Sequence, residues 1–212
     1  PLHQRTVAGL NQAYSTWRDD GQTAPPEYWD DWCNECALAE TIVVNSAWSR
    51  HALIQEGVAP AKIRVVPVAF AAPLGSQSFV RRYPAAFTAK RPMRVLFLGQ
   101  INLAKGIGQL LEAASLLSAE AVEFWIVGAV QVSVPAALRR LPHIRWLGPV
   151  SRGEVANYYR EADVFVFPTL SDGFGLTQLE AQSWKLPVIA SRYCGDVVQD
   201  GINGVMLAEV SA

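Results

Sequence analysis

The chain has 212 residues, 50% of them hydrophobic, with 18 basic against 19 acidic side chains and a formal net charge of −1. That apolar content excludes low-hydrophobicity disorder, and the charge balance argues against a nucleic-acid module held by a basic stripe. No apolar run reaches the roughly 18 residues a transmembrane helix needs, and three cysteines cannot build a disulfide framework, so their odd number fits a reducing, cytoplasmic setting.

The elements follow in chain order. Residues 1–40 read as helical and aromatic-rich, broken at Gly21 and at Pro25-Pro26. Tyr28, Trp29, Trp32, Cys36 and Leu38 make a rough helical stripe among carboxylates. Thr41-Ile42-Val43-Val44-Asn45 is a β-branched run that predicts a buried strand. Ser46 is placed to cap the next helix, which carries Trp48, Leu53 and Ile54 and stops at Gly57. Residues 62–67 predict another strand. The stretch that follows, up to Arg91, is rich in Ala, Pro, Gly and Ser and reads as a linker.

From residue 92 the pattern becomes regular. Strands are expected over 94–98, 124–127, 144–147, 164–167 and 187–190. Helices are expected over 107–118, 135–141, 153–162 and 176–184. Several strands are apolar throughout, as strands covered on both faces should be. Such alternation implies βα units, and therefore an α/β fold with a doubly wound, Rossmann-like parallel sheet. Ligands in such sheets bind beyond the carboxyl ends of the strands. The loops after Leu98, Val127, Leu147, Phe167 and Ala190 are therefore where chemistry should be sought.

Two of those loops carry suggestive residues. The first runs from Gly99-Gln100 to Lys105-Gly106 and joins a strand to a helix start, where free N–H groups and the helix dipole favour an anion. Lys105 adds a full positive charge there. The loop is neither a Walker A motif nor Gly-x-Gly-x-x-Gly. The second reads Pro168-Thr169-Leu170-Ser171-Asp172-Gly173-Phe174-Gly175-Leu176-Thr177-Gln178-Leu179-Glu180. Its glycines allow close approach of a ligand to the backbone. Thr177 offers a hydroxyl, and Glu180, one turn into the helix, is suited to accept hydrogen bonds from a diol.

The series resembles the retaining group 1 (family 4) glycosyltransferases of the GT-B fold. Asp172-x7-Glu180, enclosing Gly173-Phe174-Gly175-Leu176, is similar to that family's Glu-x7-Glu signature. Gly99 through Lys105-Gly106 resembles its phosphate loop, and Ile144-Arg145-Trp146-Leu147-Gly148-Pro149-Val150 its nucleobase loop. Pro187 to Ser191, Gly195 and Asp200-Gly201-Ile202-Asn203-Gly204 resemble its closing strand and turn. The likeness spans roughly residues 35–207.

The resemblance implies transfer of a sugar from a nucleotide-diphosphate sugar, UDP- or GDP-linked, to an acceptor hydroxyl with retention at the anomeric carbon. Lys105, Asp172 and Glu180 are the implied catalytic set. Lys105 with the N–H groups of Leu176 and Thr177 would meet the diphosphate, Glu180 the ribose, and Asp172, Gly173, Phe174 and Gly175 the donor sugar. Gly99, Gln100 and Val150 complete the donor site. No cofactor and no metal is implied, and His3, His51 and His143 show no metal-ligand spacing. The acceptor, a glycan, lipid or small molecule, is not legible. The alternative is a non-catalytic nucleotide-sugar-binding or interaction module of the same fold.

The implied domains are 1–70, the end of an N-terminal acceptor-side domain; 71–91, a linker; and 92–212, a nucleotide-sugar-binding domain truncated at its C-terminus. The chain is thus expected to be a fragment that lacks most of its N-terminal domain, binds donor weakly and transfers no sugar alone. Three departures stand out. Asp172 replaces Glu, Gln100 stands where the family has Arg, and Lys185 stands where it has a helix-ending Gly. If Lys185 is left-handed it costs ~1 kcal/mol. Cys33-x-x-Cys36 and Cys194 read as structural. Trp17, Trp29, Trp32 and Trp48 read as core or interface rather than an acceptor surface. Arg81, Arg82, Lys90 and Arg91 offer contact with anionic lipid at a cytoplasmic membrane face, but a solvated linker fits them better.

Overall fold

The computed structural model describes residues 2–17 and 24–211. The break expected at Gly21 lies outside them. Helices α1 (Leu2–Ala13) and α2 (Pro26–Leu38) open the chain. Pro26 starts α2 because its fixed φ suits the first helical position and its missing N–H has no partner to lose there. Strands β1 (Ile42–Val44) and β2 (Ile63–Val65) pair in parallel, with α3 (Ala47–Gln55) in the crossover. Ser46 is extended and its Oγ accepts the Ser49 N–H at 3.0 Å, so it caps α3 as expected. The burial expected of β1 is not observed. Val43 is 63% exposed, because the sheet has two strands among the described residues and its outer face is uncovered.

The second sheet has six parallel strands in the order β5-β4-β3-β6-β7-β8. They are β3 (Met93–Leu98), β4 (Val122–Val127), β5 (Ile144–Gly148), β6 (Val164–Phe167), β7 (Val188–Ala190) and β8 (Gly204–Met206). Helices α4 (Ile107–Leu116), α5 (Ala136–Arg139), α6 (Val155–Glu161) and α7 (Leu176–Ser183) connect them. The chain runs outward from β3 to β5, returns beside β3 at β6, and runs outward the other way. This is a doubly wound sheet, with its topological switch between β3 and β6. The strand β8 was not anticipated, since it has only three residues with Val205 exposed. Pairing with β7 and a bond from the Met206 N–H to Asp200 Oδ1 at 2.8 Å fix it.

Side-chain alternation splits the core in two. Val95, Phe97, Phe124 and Ile126 face one layer with Ile107 and Leu111 of α4. Leu96, Trp125, Phe165 and Val188 face the other with Tyr159 of α6 and Ala181 of α7. Both faces being filled is why these strands read as unbroken apolar runs. Leu10 of α1 and Trp17 join the first layer, so the chain's opening segment packs on the second sheet.

The linker is bonded inward. Arg81 donates to the carbonyl oxygens of Tyr159 (2.6 Å), Trp184 (2.9 Å) and Lys185 (2.9 Å), and also to that of Ala162. It therefore gathers the carbonyl ends of α6 and α7, where a cation suits the helix dipoles. Arg91 grips buried Asp163 through both guanidinium nitrogens, at 2.7 and 2.8 Å. These two arginines are engaged with the protein, whereas Arg82 and Lys90 are exposed. No described helix is long and apolar enough to cross a membrane.

Candidate functional site

The loops after β3 and β6 meet at the switch point. Thr169 Oγ1 donates to Ala104 O at 3.0 Å and the Leu170 N–H to the same oxygen at 2.8 Å. Gly106 has φ 76°, and a Cβ there would lie 2.0 Å from Pro168 O. Only glycine lets the two loops close to this distance. Gly175 has φ 79° at the start of α7, and a Cβ would lie 2.5 Å from the Phe167 ring. The turn ahead of Lys105 (Leu103–Lys105) is held by Asn102, whose Oδ1 accepts the Lys105 N–H at 3.0 Å.

Nine of the expected residues line one cavity of about 390 Å³: Gly99, Gln100, Lys105, Asp172, Gly173, Phe174, Gly175, Leu176 and Thr177. Val150 and Glu180 line a neighbouring cavity of about 530 Å³, and Leu98 and Thr177 belong to both walls. The first-turn N–H groups of α7, at Leu176 and Thr177, have no intrahelical acceptor. They lie beside Lys105 in the lining of the first cavity.

Lys105 Nζ forms an ion pair with Asp172. The other oxygen of Asp172 accepts the Phe174 N–H at 3.1 Å, and its backbone N–H bonds Tyr193 O at 2.9 Å. Sequence reasoning gave these two side chains separate partners, and the fold brings them into contact. Glu180 accepts from the Tyr159 hydroxyl at 2.8 Å. Beneath the loop, fully buried Gln178 donates to Phe174 O at 3.0 Å and pins the Gly173-Phe174-Gly175 turn from below. Gln100 is exposed at the cavity lip.

Several residues of the site were not anticipated. Asn45 and Val68 line the first cavity; Phe70, Ala71 and Pro73 line the second. Ser46 Oγ donates to Gly173 O, and Ser49 Oγ lies 3.2 Å from the same oxygen. The signal for Asn45 and Ser46 was available, because they follow the carboxyl end of β1 as ligand loops do. His3 of α1 is near enough to feel Lys105 and Asp172. Its pKa is lowered by desolvation first and by the Lys105 charge second, with Asp172 opposing, so the ring stays neutral at pH 7.

Burial, ahead of the Asp172 and Asp196 charges, pushes the Cys194 thiol up to about 12. It is a protonated core filler that donates to Ser191 O at 3.2 Å. Cys33 and Cys36 are free thiols on α2, and the Cys36 pKa is raised by desolvation and then by Cys33. Trp17 is core and Trp48 packs edge-on against Tyr193 at 5.2 Å, while Trp29 and Trp32 contact each other along α2 at 6.3 Å.

The doubly wound parallel sheet is that of the GT-B fold, as the comparisons bear out. The family described as glycosyl transferases group 1 matches residues 92–212, and the chain belongs to it. A D-inositol 3-phosphate glycosyltransferase of Geodermatophilus obscurus is 31% identical over 193 residues, covering 81% of this chain and 42% of that protein. An uncharacterized 41.2 kDa protein in the cps region of Klebsiella pneumoniae is 27% identical over 173 residues, covering 79% and 48%. The chain thus spans less than half the length of these curated relatives. Anabaena Alr3699/HepE, solved with UDP and glucose, superposes with a TM-score of 0.65 at 19% identity, covering 88% of this chain and 56% of that one. Sucrose-phosphate synthase of Thermosynechococcus elongatus gives 0.61 at 24% identity, covering 88% and 51%. These two show the shared fold.

Proposed function

We propose that this chain carries the donor site of a retaining glycosyltransferase. The observation that carries the reading is the convergence, at one switch point, of Lys105, the free N–H groups of α7 and Glu180 around two abutting cavities. A diphosphate suits the first cavity and a nucleoside the second. In the transfer, the bond from the anomeric carbon to the diphosphate oxygen breaks and its electron pair stays on the diphosphate. The acceptor oxygen bonds the carbon, and its proton passes to the departing diphosphate oxygen. Charge therefore grows on the diphosphate in the transition state, where Lys105 and the α7 dipole stabilise it. Retention rests on the likeness of Asp172-x7-Glu180 to the family signature. No cofactor takes part in this scheme. UDP is the first nucleotide to try, since Alr3699/HepE is solved with UDP and with UDP-glucose. GDP is the second.

The Lys105–Asp172 ion pair also favours a second reading, a nucleotide-sugar-binding module without transfer. Asp172 neutralises Lys105 in the free chain, and Gln100 adds no charge to replace it. Sugar release by the full-length protein that depends on Asp172 rejects this second reading.

Calorimetric titration of UDP and GDP tests the site. Lys105→Ala is expected to weaken binding by ~10–100-fold, the worth of a charge-assisted contact. Glu180→Ala is expected to weaken it less. No binding by the parent, or binding untouched by both changes, sinks the proposal.

A further inference from the structure

Glu180 does not stand alone in its cavity. The Tyr159 hydroxyl donates to its Oε2 at 2.8 Å, from a ring only 1% exposed. Burial first, and the Glu180 charge second, raise the Tyr159 pKa far above the tyrosine range, so the phenol is a donor at every working pH. The ring is fixed in turn. It packs edge-on against Phe165 at 5.8 Å, and its backbone oxygen accepts from Arg81 at 2.6 Å. Arg81 also bonds the oxygens of Trp184 and Lys185, just beyond the helix that carries Glu180. Both helices are therefore clamped at one end while the phenol joins their side chains. Oε1 of Glu180 accepts nothing from the described residues, and Glu180 lines the second cavity.

We infer that Tyr159 is a positioning residue that holds the Glu180 carboxylate in place for the ribose hydroxyls of a nucleoside diphosphate. The inference rests on the donor-site reading above. A carboxylate at the end of a flexible side chain loses rotational freedom when a diol binds it. A buried phenol that already holds one oxygen removes part of that loss beforehand. A Tyr159 that merely filled the core would affect every ligand alike.

The test is calorimetric titration of UDP and GDP beside their 2′,3′-dideoxy forms. The chains are the parent, Tyr159→Phe, Glu180→Gln and the double variant. The parent is expected to prefer the ribose forms by ~10-fold or more, the worth of hydrogen bonds to a charged group. Tyr159→Phe removes one oxygen and keeps the ring, and thermal melts verify that it folds. It should shrink the preference to ~3-fold or less while leaving dideoxy affinity unchanged, the signature of a lost positioning contact. In the Glu180→Gln background it should change nothing further. Equal loss on both ligand sets, or an unchanged preference, overturns the role of Tyr159 and leaves the donor site standing. A parent without ribose preference, or a Glu180→Gln chain that keeps it, overturns the ribose role of Glu180 and that of Tyr159 with it. A parent that binds neither nucleotide overturns the donor-site reading itself.

Discussion

The β1–β2 pair and the six-stranded sheet are both parallel and both rich in β-branched residues, yet they differ in what covers them. Val43 and Val65 of the pair are 63% and 39% exposed, whereas Leu96 and Phe165 of the larger sheet are wholly buried. Equivalent residue types thus contribute unequally, because apolar residues stabilise only when a partner layer removes them from water. The first region still reaches the site, through Asn45 at the cavity and Ser46 on Gly173 O. The larger sheet supplies most of the buried core and most of the cavity wall. The smaller supplies one face of a shared cavity.

Phe165→Ala is the widest probe of that contrast. Phe165 lies between Tyr159 and Phe167, with ring centroids at 5.8 and 6.1 Å. Its removal is expected to destabilise by ~3–5 kcal/mol, as large-to-small core changes do. Val43→Thr, on the uncovered face, should stay within ~0.5 kcal/mol. Urea unfolding of both variants gives the answer. Similar losses at the two positions would mean that the pair is covered in solution and that the contrast is false.

What the sequence disclosed follows the same division. Five of the six strands of the larger sheet and its four helices were legible to within two residues at each end, because continuous apolar runs and regular spacing are local signals. The site loops were legible because glycines, Lys105 and Glu180 lie at the carboxyl ends of those strands. Contacts between loops were not. The Lys105–Asp172 pair joins residues 67 apart, and the Tyr159–Glu180 bond joins two helices 21 apart. Nothing in local pattern announces either. The exposure of Val43 was illegible for another reason. A β-branched run looks the same whether or not a second layer covers it.

Ser46→Ala sharpens the comparison at the seam between the two regions. The hydroxyl caps α3 and also donates to Gly173 O, at a residue only 3% exposed. Loss of a capping hydroxyl costs ~0.5–2 kcal/mol, and the Gly173 oxygen loses a donor, though Ser49 Oγ still lies 3.2 Å from it. We expect a loss near ~1–2 kcal/mol, with Ser46→Thr retaining most of the stability because Thr also caps. A loss no larger than that of Val43→Thr would show that the seam carries no energy.

The smallest effect has the opposite sign. Lys185, just after α7, has φ 55° and is the one non-glycine residue with positive φ among those described. A side chain in the left-handed region costs ~1–2 kcal/mol. Lys185→Gly removes that strain, while the greater freedom of glycine in the unfolded chain takes back ~0.4–1 kcal/mol. The net gain expected is ~0.5–1 kcal/mol, the remainder of these two terms. The Arg81 bond to this residue is unaffected, since it falls on the backbone oxygen at 2.9 Å. The Lys185 side chain is exposed, so little packing is lost. Lys185→Ala separates strain from charge. Alanine has the same Cβ and the same penalty, so it should give no gain where glycine does. A melting temperature raised equally by both would move the cause from the backbone to the lysine charge.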